Sequence, residues 1–230
     1  INANAFVQEV VTGIQTQSMG AELGIEAQVL PTLKLKAAAS VGQNVYTDNA
    51  SNYFTSDDFE GALSFGDGTT YLKDYHVAGG PERAYQVGFE YRDPDFWWVG
   101  LTTNYFSNAY IDVSTLRRTS AFFEDGNGFP LSSFDEEVAR QLLKQEEIND
   151  YFLVNVIGGK SWKIKDYYVG FFASINNLLD QEYKTGGFED SRVADYTGLV
   201  EQSKQNTPVF GNRYFFGNGT TYYLNLYFRF

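Results

Sequence analysis

The sequence lacks cysteine, has a single histidine, and contains no run of about 18 consecutive apolar residues. Without cysteine there is no disulfide, no thiol nucleophile and no cysteine metal site. The one histidine, His76, excludes a zinc-binding histidine pair, and its loop-like surroundings favour a solvated side chain. The missing apolar run excludes a transmembrane helix. It leaves room for transmembrane strands, which need only about 10 residues with every second one facing lipid.

Basic residues are also scarce, since 17 Lys and Arg stand against 29 Asp and Glu for a net charge of −12. Nucleic acid is therefore excluded as a partner, because phosphate binding needs clustered Lys and Arg. Aromatic residues are plentiful, with 17 Tyr and 20 Phe. Low mean hydropathy (−0.33) combined with many aromatics suits a barrel with aromatic girdles.

The last eleven residues, 220–230, form the clearest pattern in the chain. One alternating set is apolar or aromatic: Tyr222, Leu224, Leu226, Phe228 and Phe230. The other set carries polar groups: Tyr223, Asn225, Tyr227 and Arg229. Because successive side chains of a strand point to opposite faces, this pattern predicts a two-faced strand. An uncovered apolar strand invites aggregation in water, so we expect the apolar set to face lipid.

Three hairpins with the same alternation precede this strand. They comprise 19–29 and 33–41 around Pro31-Thr32, 85–92 and 97–105 around Asp93-Pro94-Asp95, and 151–162 and 167–179 around Lys165-Asp166. Residues 1–18 hold the end of an earlier strand and a loop. The sequence therefore predicts seven clear strands and part of an eighth.

The connections between hairpins are long, at about 47–83, 111–150 and 180–219, and loop-like in composition. The middle one should contain a short helix, because Ser133 and Glu136 have capping-box spacing and Phe134, Val138 and Leu142 form an apolar stripe. Loops this long are unusual in compact soluble domains. Short turns at one end and long loops at the other are typical of outer-membrane barrels, whose turns face the periplasm.

The predicted fold class is all-β, a transmembrane antiparallel β-barrel segment. Alternation alone also fits a soluble β-sandwich, in which the apolar set would point inward. Two features favour the barrel beside the loop asymmetry. The polar sets carry charges that suit a wet or plugged lumen. Aromatics gather beside the short turns, where an interfacial girdle should sit: Tyr91, Phe96, Trp97, Trp98, Trp162 and Tyr167.

Two groups of loop residues are candidate sites. Asp125, Asn127 and Glu136 supply oxygen ligands at a spacing partly like a calcium loop, although a plain Asx turn explains them better. The loop aromatics could contact a ligand at the barrel mouth, or could pack the loops on each other: Tyr71, Tyr75, Phe122, Phe123 and Phe129. No constellation supports catalysis, and no cofactor is predicted.

The chain resembles TonB-dependent outer-membrane receptors, in the style of their Bacteroidota branch. Residues 172–183, Phe-Ala-Ser-Ile-Asn-Asn-Leu-Leu-Asp-Gln-Glu-Tyr, resemble the family's N-L-x-(D/N)-x-x-Y motif in the penultimate strand. Residues 222–230 resemble its final strand, and Gly20-Ala-Glu-Leu23 its G-(V/A)-E-L strand opening. The resemblance spans nearly the whole chain, but it is only to the C-terminal part of the family's barrel. It implies that residues 1–230 belong to a barrel of about 22 strands.

The resemblance also implies a function and partners. These are energised uptake of a siderophore, cobalamin, peptide or glycan across the bacterial outer membrane, contact with outer-membrane lipid, and recognition of terminal Phe230 by the barrel-assembly machinery. The C-terminus should be periplasmic and the long loops extracellular. Nothing here matches the family's plug or TonB-contacting segment, or the branch that works with a lipoprotein lid. The alternatives are a small structural or enzymatic outer-membrane barrel and a soluble β-sandwich binding module.

Overall fold

A computed structural model describes residues 6–230. The chain is mostly antiparallel β-structure with two short helices, α1 (Glu136–Leu142) and α2 (Tyr196–Ser203). Among the described residues, no helix has the length and apolar character that crossing a membrane requires. The strands are β1 (Gln8–Thr12), β2 (Thr16–Leu30), β3 (Leu33–Tyr46), β4 (Ala50–Ser56), β5 (Phe59–Thr70), β6 (Arg83–Arg92), β7 (Trp97–Ser107), β8 (Ala109–Tyr110), β9 (Glu147–Ile148), β10 (Tyr151–Ile164), β11 (Tyr167–Asn176), β12 (Lys184–Phe188), β13 (Arg213–Phe216) and β14 (Thr221–Arg229).

The main sheet has seven antiparallel strands in the order β14-β11-β10-β7-β6-β3-β2. These are the seven strands that the alternation predicts. Their bounds differ slightly: β2 begins at Thr16 rather than Met19, and β10 continues to Ile164. Each strand pairs with its neighbour in the main sheet along the chain, so the sheet is an up-and-down meander. Strands β2 and β14 form its two edges, and every residue of both is exposed.

Three short turns join the hairpins at one end of the sheet, which we call the short-turn end. Pro31-Thr32 and Lys165-Asp166 are two-residue turns, and Lys165 has a positive φ of 57°. In the β6–β7 turn the Asp93 side chain accepts a hydrogen bond from the backbone N–H of Asp95, 2.9 Å away. All three turns lie where the sequence predicts them, at Pro31-Thr32, Asp93-Pro94-Asp95 and Lys165-Asp166.

The long connections are more ordered than their composition suggests. Strands β4 and β5 lie within the stretch predicted to be a loop, and they form a three-stranded sheet with β1. The predicted end of an earlier strand in residues 1–18 is therefore β1, outside the main sheet; residues 1–5 lie outside the described part. The interpretation of 47–83 as a loop was wrong. In β4, the side chains of Ala50, Asn52 and Phe54 are buried at alternate positions, but the frequent glycines of this stretch make its strands hard to recognise in the sequence.

Helix α1 confirms the predicted helix, but its cap differs. The N-cap is Asp135, whose side chain accepts hydrogen bonds from the backbone N–H groups of Glu137 (2.9 Å) and Val138 (3.1 Å). Ser133 is therefore not the capping residue. Asp135 supplies the same oxygen acceptor two residues later, adjacent to the first helical residue. The third connection, predicted as a loop, contains β12, α2 and β13.

Three connections leave the opposite end of the sheet, at 47–82, 108–150 and 177–220; with β1 we call them the cap. All eleven buried apolar side chains of the described residues lie in the cap: Ala50, Phe54, Leu72, Ala109, Ile111, Val113, Phe122, Ala139, Ile148, Tyr196 and Leu199. Ten of them, all but Phe54, form three separate clusters, one of which joins Ala139 of α1 to Tyr196 and Leu199 of α2. The hydrophobic core therefore sits beyond the sheet and not against it.

The N-cap hydrogen bonds of α1 predict which substitution destabilises this helix. Asp135→Ala should cost about 1 kcal/mol of local stability, since two backbone donors lose their acceptor. Ser133→Ala, the matched control, should change it by less than about 0.5 kcal/mol. Amide hydrogen exchange of α1 measures both. Faster exchange in the Ser133 variant than in the Asp135 variant would contradict the assignment.

Candidate functional site

The main sheet has two chemically distinct faces because the register keeps the alternation in phase across all strands. One continuous row of paired residues crosses the seven strands and is apolar throughout: Ala27, Leu35, Phe89, Leu101, Val156, Ile175 and Tyr222. We call the face that carries this row the apolar face. Leu224, Leu226 and Phe228 of β14 lie on it as well.

No segment among residues 6–230 covers the apolar face. Leu226 is 74% exposed, Leu23 65% and Val87 60%. A soluble monomer rarely exposes a contiguous apolar patch larger than a few hundred Å². This face therefore needs an apolar environment that the described residues do not supply.

The opposite face carries a ladder of alternating charges across β2, β3 and β6. Lys34 Nζ lies 2.6 Å from Glu26, and Lys36 Nζ lies 3.0 Å from Glu90. Arg92 continues the ladder, 2.6 Å from Glu90. Opposite charges on neighbouring strands stabilise the pairing modestly, because these groups are partly solvated. We call this face the polar face.

The polar face also has a depression where small side chains meet. Gly24, Ala38, Ser40 and Ala84 line a cavity of about 440 Å³. The Gln86 amide borders it and donates a 2.9 Å hydrogen bond to Asn104. The depression can accept water or a polar surface, but it contains no titratable cluster.

Aromatic residues surround the short-turn end, as predicted. The rings of Tyr91 and Trp97 lie 5.0 Å apart, and those of Tyr167 and Phe228 lie 5.4 Å apart, all on the apolar face. Trp162 is also on this face. Trp98 is the exception, because it pairs with Arg92 on the polar face and its ring lies 5.4 Å from the Arg92 guanidinium.

The family-like motif at the end of β11 forms a clamp between β11 and β14. Asn177, with φ of 50°, donates to the backbone oxygens of Gln181 (2.9 Å) and Asn218 (3.1 Å). Asp180, also at φ 50°, accepts from the backbone N–H of Thr220 at 2.8 Å. Both residue types tolerate the left-handed conformation that the turn needs. The motif thus fixes where the third connection leaves and rejoins the sheet.

A buried ion pair joins the second and third connections. Arg118 donates to both carboxylate oxygens of Glu189, one of them at 2.8 Å, and both side chains are almost fully buried. The Arg118 guanidinium also lies 4.8 Å from the ring of Tyr75 in the first connection. The neighbouring Arg117 is equally buried and donates to the backbone oxygens of Val193 (3.0 Å) and Asp190.

Strand β1 and the first connection attach to the same region. The Glu9 carboxylate accepts from Thr115, in the second connection, and from Asn52 at 2.7 Å. Thr70 donates to the backbone oxygen of Thr115 at 2.6 Å. Asn52 Oδ1 and Arg118 Nε are buried and have no hydrogen-bond partner within residues 6–230. Polar contacts therefore link β1 and all three connections into one unit.

Two further polar groups in the cap have perturbed acidity. The Arg192 side chain lowers the pKa of Asp190 to about 2, so this carboxylate stays charged in mild acid. Burial and a hydrogen bond to Glu146 raise the pKa of Tyr214 to about 12. The Lys184 ammonium lies 3.3 Å from the centre of the Tyr214 ring. Glu146 and Lys184, which both contact Tyr214, tie β12 and β13 to the segment before β9.

The structure separates the five loop aromatics proposed to contact a ligand. Phe122 is buried against Tyr196, and Phe123 packs 5.6 Å from Phe134. Tyr75 lies under Arg118 and donates to the backbone oxygen of Leu143 at 3.1 Å. These three pack the connections on each other, the alternative stated above. Phe129 and Tyr71 are the exposed members, at 67% and 43%.

The calcium candidates do not converge. Asp125 Oδ1 accepts from the backbone N–H groups of Asn127 (2.8 Å) and Phe129 (2.9 Å), which is an Asx-type turn. Glu136 instead pairs with Arg140 at 2.5 Å. Among residues 6–230, no group of three or more acidic or histidine side chains is placed to hold a metal ion.

His76 is not the solvated loop residue that its surroundings suggest. Its ring stacks on Tyr110 at 3.7 Å, and its Nδ1 lies 2.9 Å from the buried Glu82 carboxylate. Its backbone N–H donates to Gln145, whose amide donates back to the His76 carbonyl, both at 2.9 Å. The histidine thus joins the first connection to the second, beside an open cavity of about 450 Å³.

Sequence reasoning missed the residues that hold the cap together, chiefly Arg117, Arg118 and Glu189. Their partners lie more than 70 positions away, so no local spacing marks them. A signal was nevertheless present. Two adjacent arginines stand in a largely uncharged stretch, 113–123, of a chain that is otherwise acidic.

Comparison with known proteins adds little to this description. No protein-family model matches the chain, and no curated protein gives a significant match. Among solved structures, the chain is similar to the ferric-catecholate import receptor Fiu from E. coli K12 in its closed form, with 16% identity and a TM-score of 0.35. The alignment covers 92% of this chain and 27% of that receptor. Similarity this low assigns neither fold nor function.

The buried ion pair predicts how the cap fails. Glu189→Gln should destabilise it by about 3–5 kcal/mol, because Arg118 would remain buried without a counter-charge. The matched control is Glu201→Gln on the exposed side of α2, which should be nearly neutral. Limited proteolysis of the cap in increasing urea measures both. Equal protease resistance in the two variants would contradict the central role of this pair.

Proposed function

We propose that the seven-stranded sheet is a section of the wall of an outer-membrane β-barrel. The observation that carries the proposal is the apolar face, whose row of apolar residues crosses all seven strands and which no segment among residues 6–230 covers. Lipid supplies the apolar environment it needs, and the charged ladder of Glu26, Lys36 and Glu90 then faces a wet or plugged lumen. A β-sandwich would need a second sheet on the apolar face.

The sheet edges support the same proposal. A transmembrane sheet must leave no backbone group unpaired in the hydrocarbon region, so both β2 and β14 need partner strands. We propose that further strands of a larger barrel, of about 22 strands, pair with these two edges. The short turns would lie in the periplasm with the C-terminus, and the cap would lie outside the cell.

Within that barrel we propose a receptor role in energised uptake of a scarce nutrient. The support is the motif resemblance of residues 172–183 and 222–230, together with the ordered cap of three linked connections. The exposed cap aromatics Phe129 and Tyr71 are the residues we propose for first contact with a ligand. TonB and the barrel-assembly machinery are the proposed protein partners, with the assembly machinery recognising β14.

The inside–outside assignment predicts that arginine substitutions at neighbouring residues of β14 impair barrel assembly to very different degrees. Leu226→Arg should cost about 2–4 kcal/mol if the site lies near the bilayer midplane, because a charge would face lipid. Asn225→Arg, on the polar face, is the matched control and should be far milder. Heat-modifiable migration and surface yield of the full-length protein measure assembly. Failure of the Asn225 variant beside normal assembly of the Leu226 variant would reverse the assignment and end the barrel proposal.

A further inference from the structure

Lys160 is a charged residue on the apolar face. The register places it in a row with Trp97, Phe171 and Leu226, and each of these three residues is aromatic or aliphatic. The alternation of β10 would put an apolar side chain at this position. A lysine in such a row needs a polar partner, because an unpaired charge in hydrocarbon is costly.

Among residues 6–230, no carboxylate lies within ion-pair distance of this lysine, whereas Lys34 and Lys36 on the polar face both pair with glutamates. Its ammonium lies 5.7 Å from the centre of the Trp162 ring. In the β6–β7 turn, hydrogen bonds from Asp95 and Tyr91 and, to a lesser extent, the charge of Lys160 lower the pKa of Asp93, but Asp93 and Lys160 form no ion pair.

The level of Lys160 along the strand matches the membrane interface. It stands four residues before the end of β10 at Ile164, which is about 13 Å along the strand and about 10 Å along the membrane normal after tilt. A lysine side chain can extend towards the short turns by about half of the distance along the normal. This brings its ammonium to the headgroup level while its methylenes stay in apolar surroundings. Trp97 is paired with Lys160 and Trp162 lies two residues nearer the turn, so both indole N–H groups lie near the proposed interface, as those of interfacial tryptophans do.

We propose that Lys160, flanked by Trp97 and Trp162, binds the phosphate of an anionic phospholipid in the leaflet nearest the short turns. The inference rests on the proposed lipid-facing side of the sheet. The ammonium supplies the charge, and the tryptophans can supply N–H donors and apolar contact with the glycerol region. Such a site would fix the depth of the β10–β11 hairpin in the membrane.

The test uses the full-length protein extracted from membranes, delipidated in mild detergent and exposed to phosphatidylglycerol. Native mass spectrometry counts the lipid molecules retained. Lys160→Met should reduce retention at least fivefold, and Lys160→Arg should preserve it because the charge remains. The matched control is Lys163→Met, since Lys163 lies on the polar face, 5.7 Å from the ring of Tyr168. That control should retain lipid like the unaltered protein.

Three outcomes would overturn the inference. Unchanged retention in Lys160→Met would remove the site, while the barrel assignment would still stand if Leu226→Arg blocks assembly. Equal loss in the Lys160 and Lys163 variants would indicate attraction by net charge and no defined site. Loss only in Lys163→Met would show that the faces are reversed, and the barrel assignment would then fall too.

Discussion

The paired register of the main sheet is the constraint on which the rest of the structure depends. Because the side-chain period of a strand is two, a slip of one residue in any strand would move its apolar set to the polar face. The row from Ala27 to Tyr222 stays in phase across all seven strands. The same phase brings Glu26, Lys36 and Glu90 together on the other side. Both surfaces therefore follow from a single alignment.

The cap is held together by a different kind of contact from the main sheet. Its described residues form three small apolar clusters and no large core, so polar contacts between distant segments hold it together. The Arg118–Glu189 pair, the His76–Gln145 hydrogen bonds and the Glu9–Thr115 hydrogen bond each join two segments. A buried ion pair adds little net stability but strongly penalises a missing partner. It therefore suits connections that must keep one arrangement.

Periodic features were predictable from the sequence and long-range contacts were not. Alternation revealed the strands and the turns at Pro31, Asp93 and Lys165, because these depend on neighbouring residues. Strand β4 was missed because β1, its partner on one side, lies some 40 positions upstream, and β5 was missed because its glycines interrupt the alternation. At α1, the capping-box spacing indicated Ser133 as the N-cap, whereas the N-cap is Asp135. For the candidate site, the sequence indicated which side chains share a face. It offered ligand contact or packing for the five loop aromatics together, and did not indicate which of them, such as Phe122 and Tyr75, pack the connections on each other.

The central claim is that the apolar face meets lipid, and site-directed spin labelling tests it most directly. The chain has no cysteine, so Leu226→Cys and Asn225→Cys each create a single labelling site in it. In membranes, the label at 226 should collide readily with oxygen and poorly with a water-soluble nickel chelate. The label at 225 should lack this oxygen preference. High nickel accessibility at 226, or the lipid-like response at 225, would contradict the account.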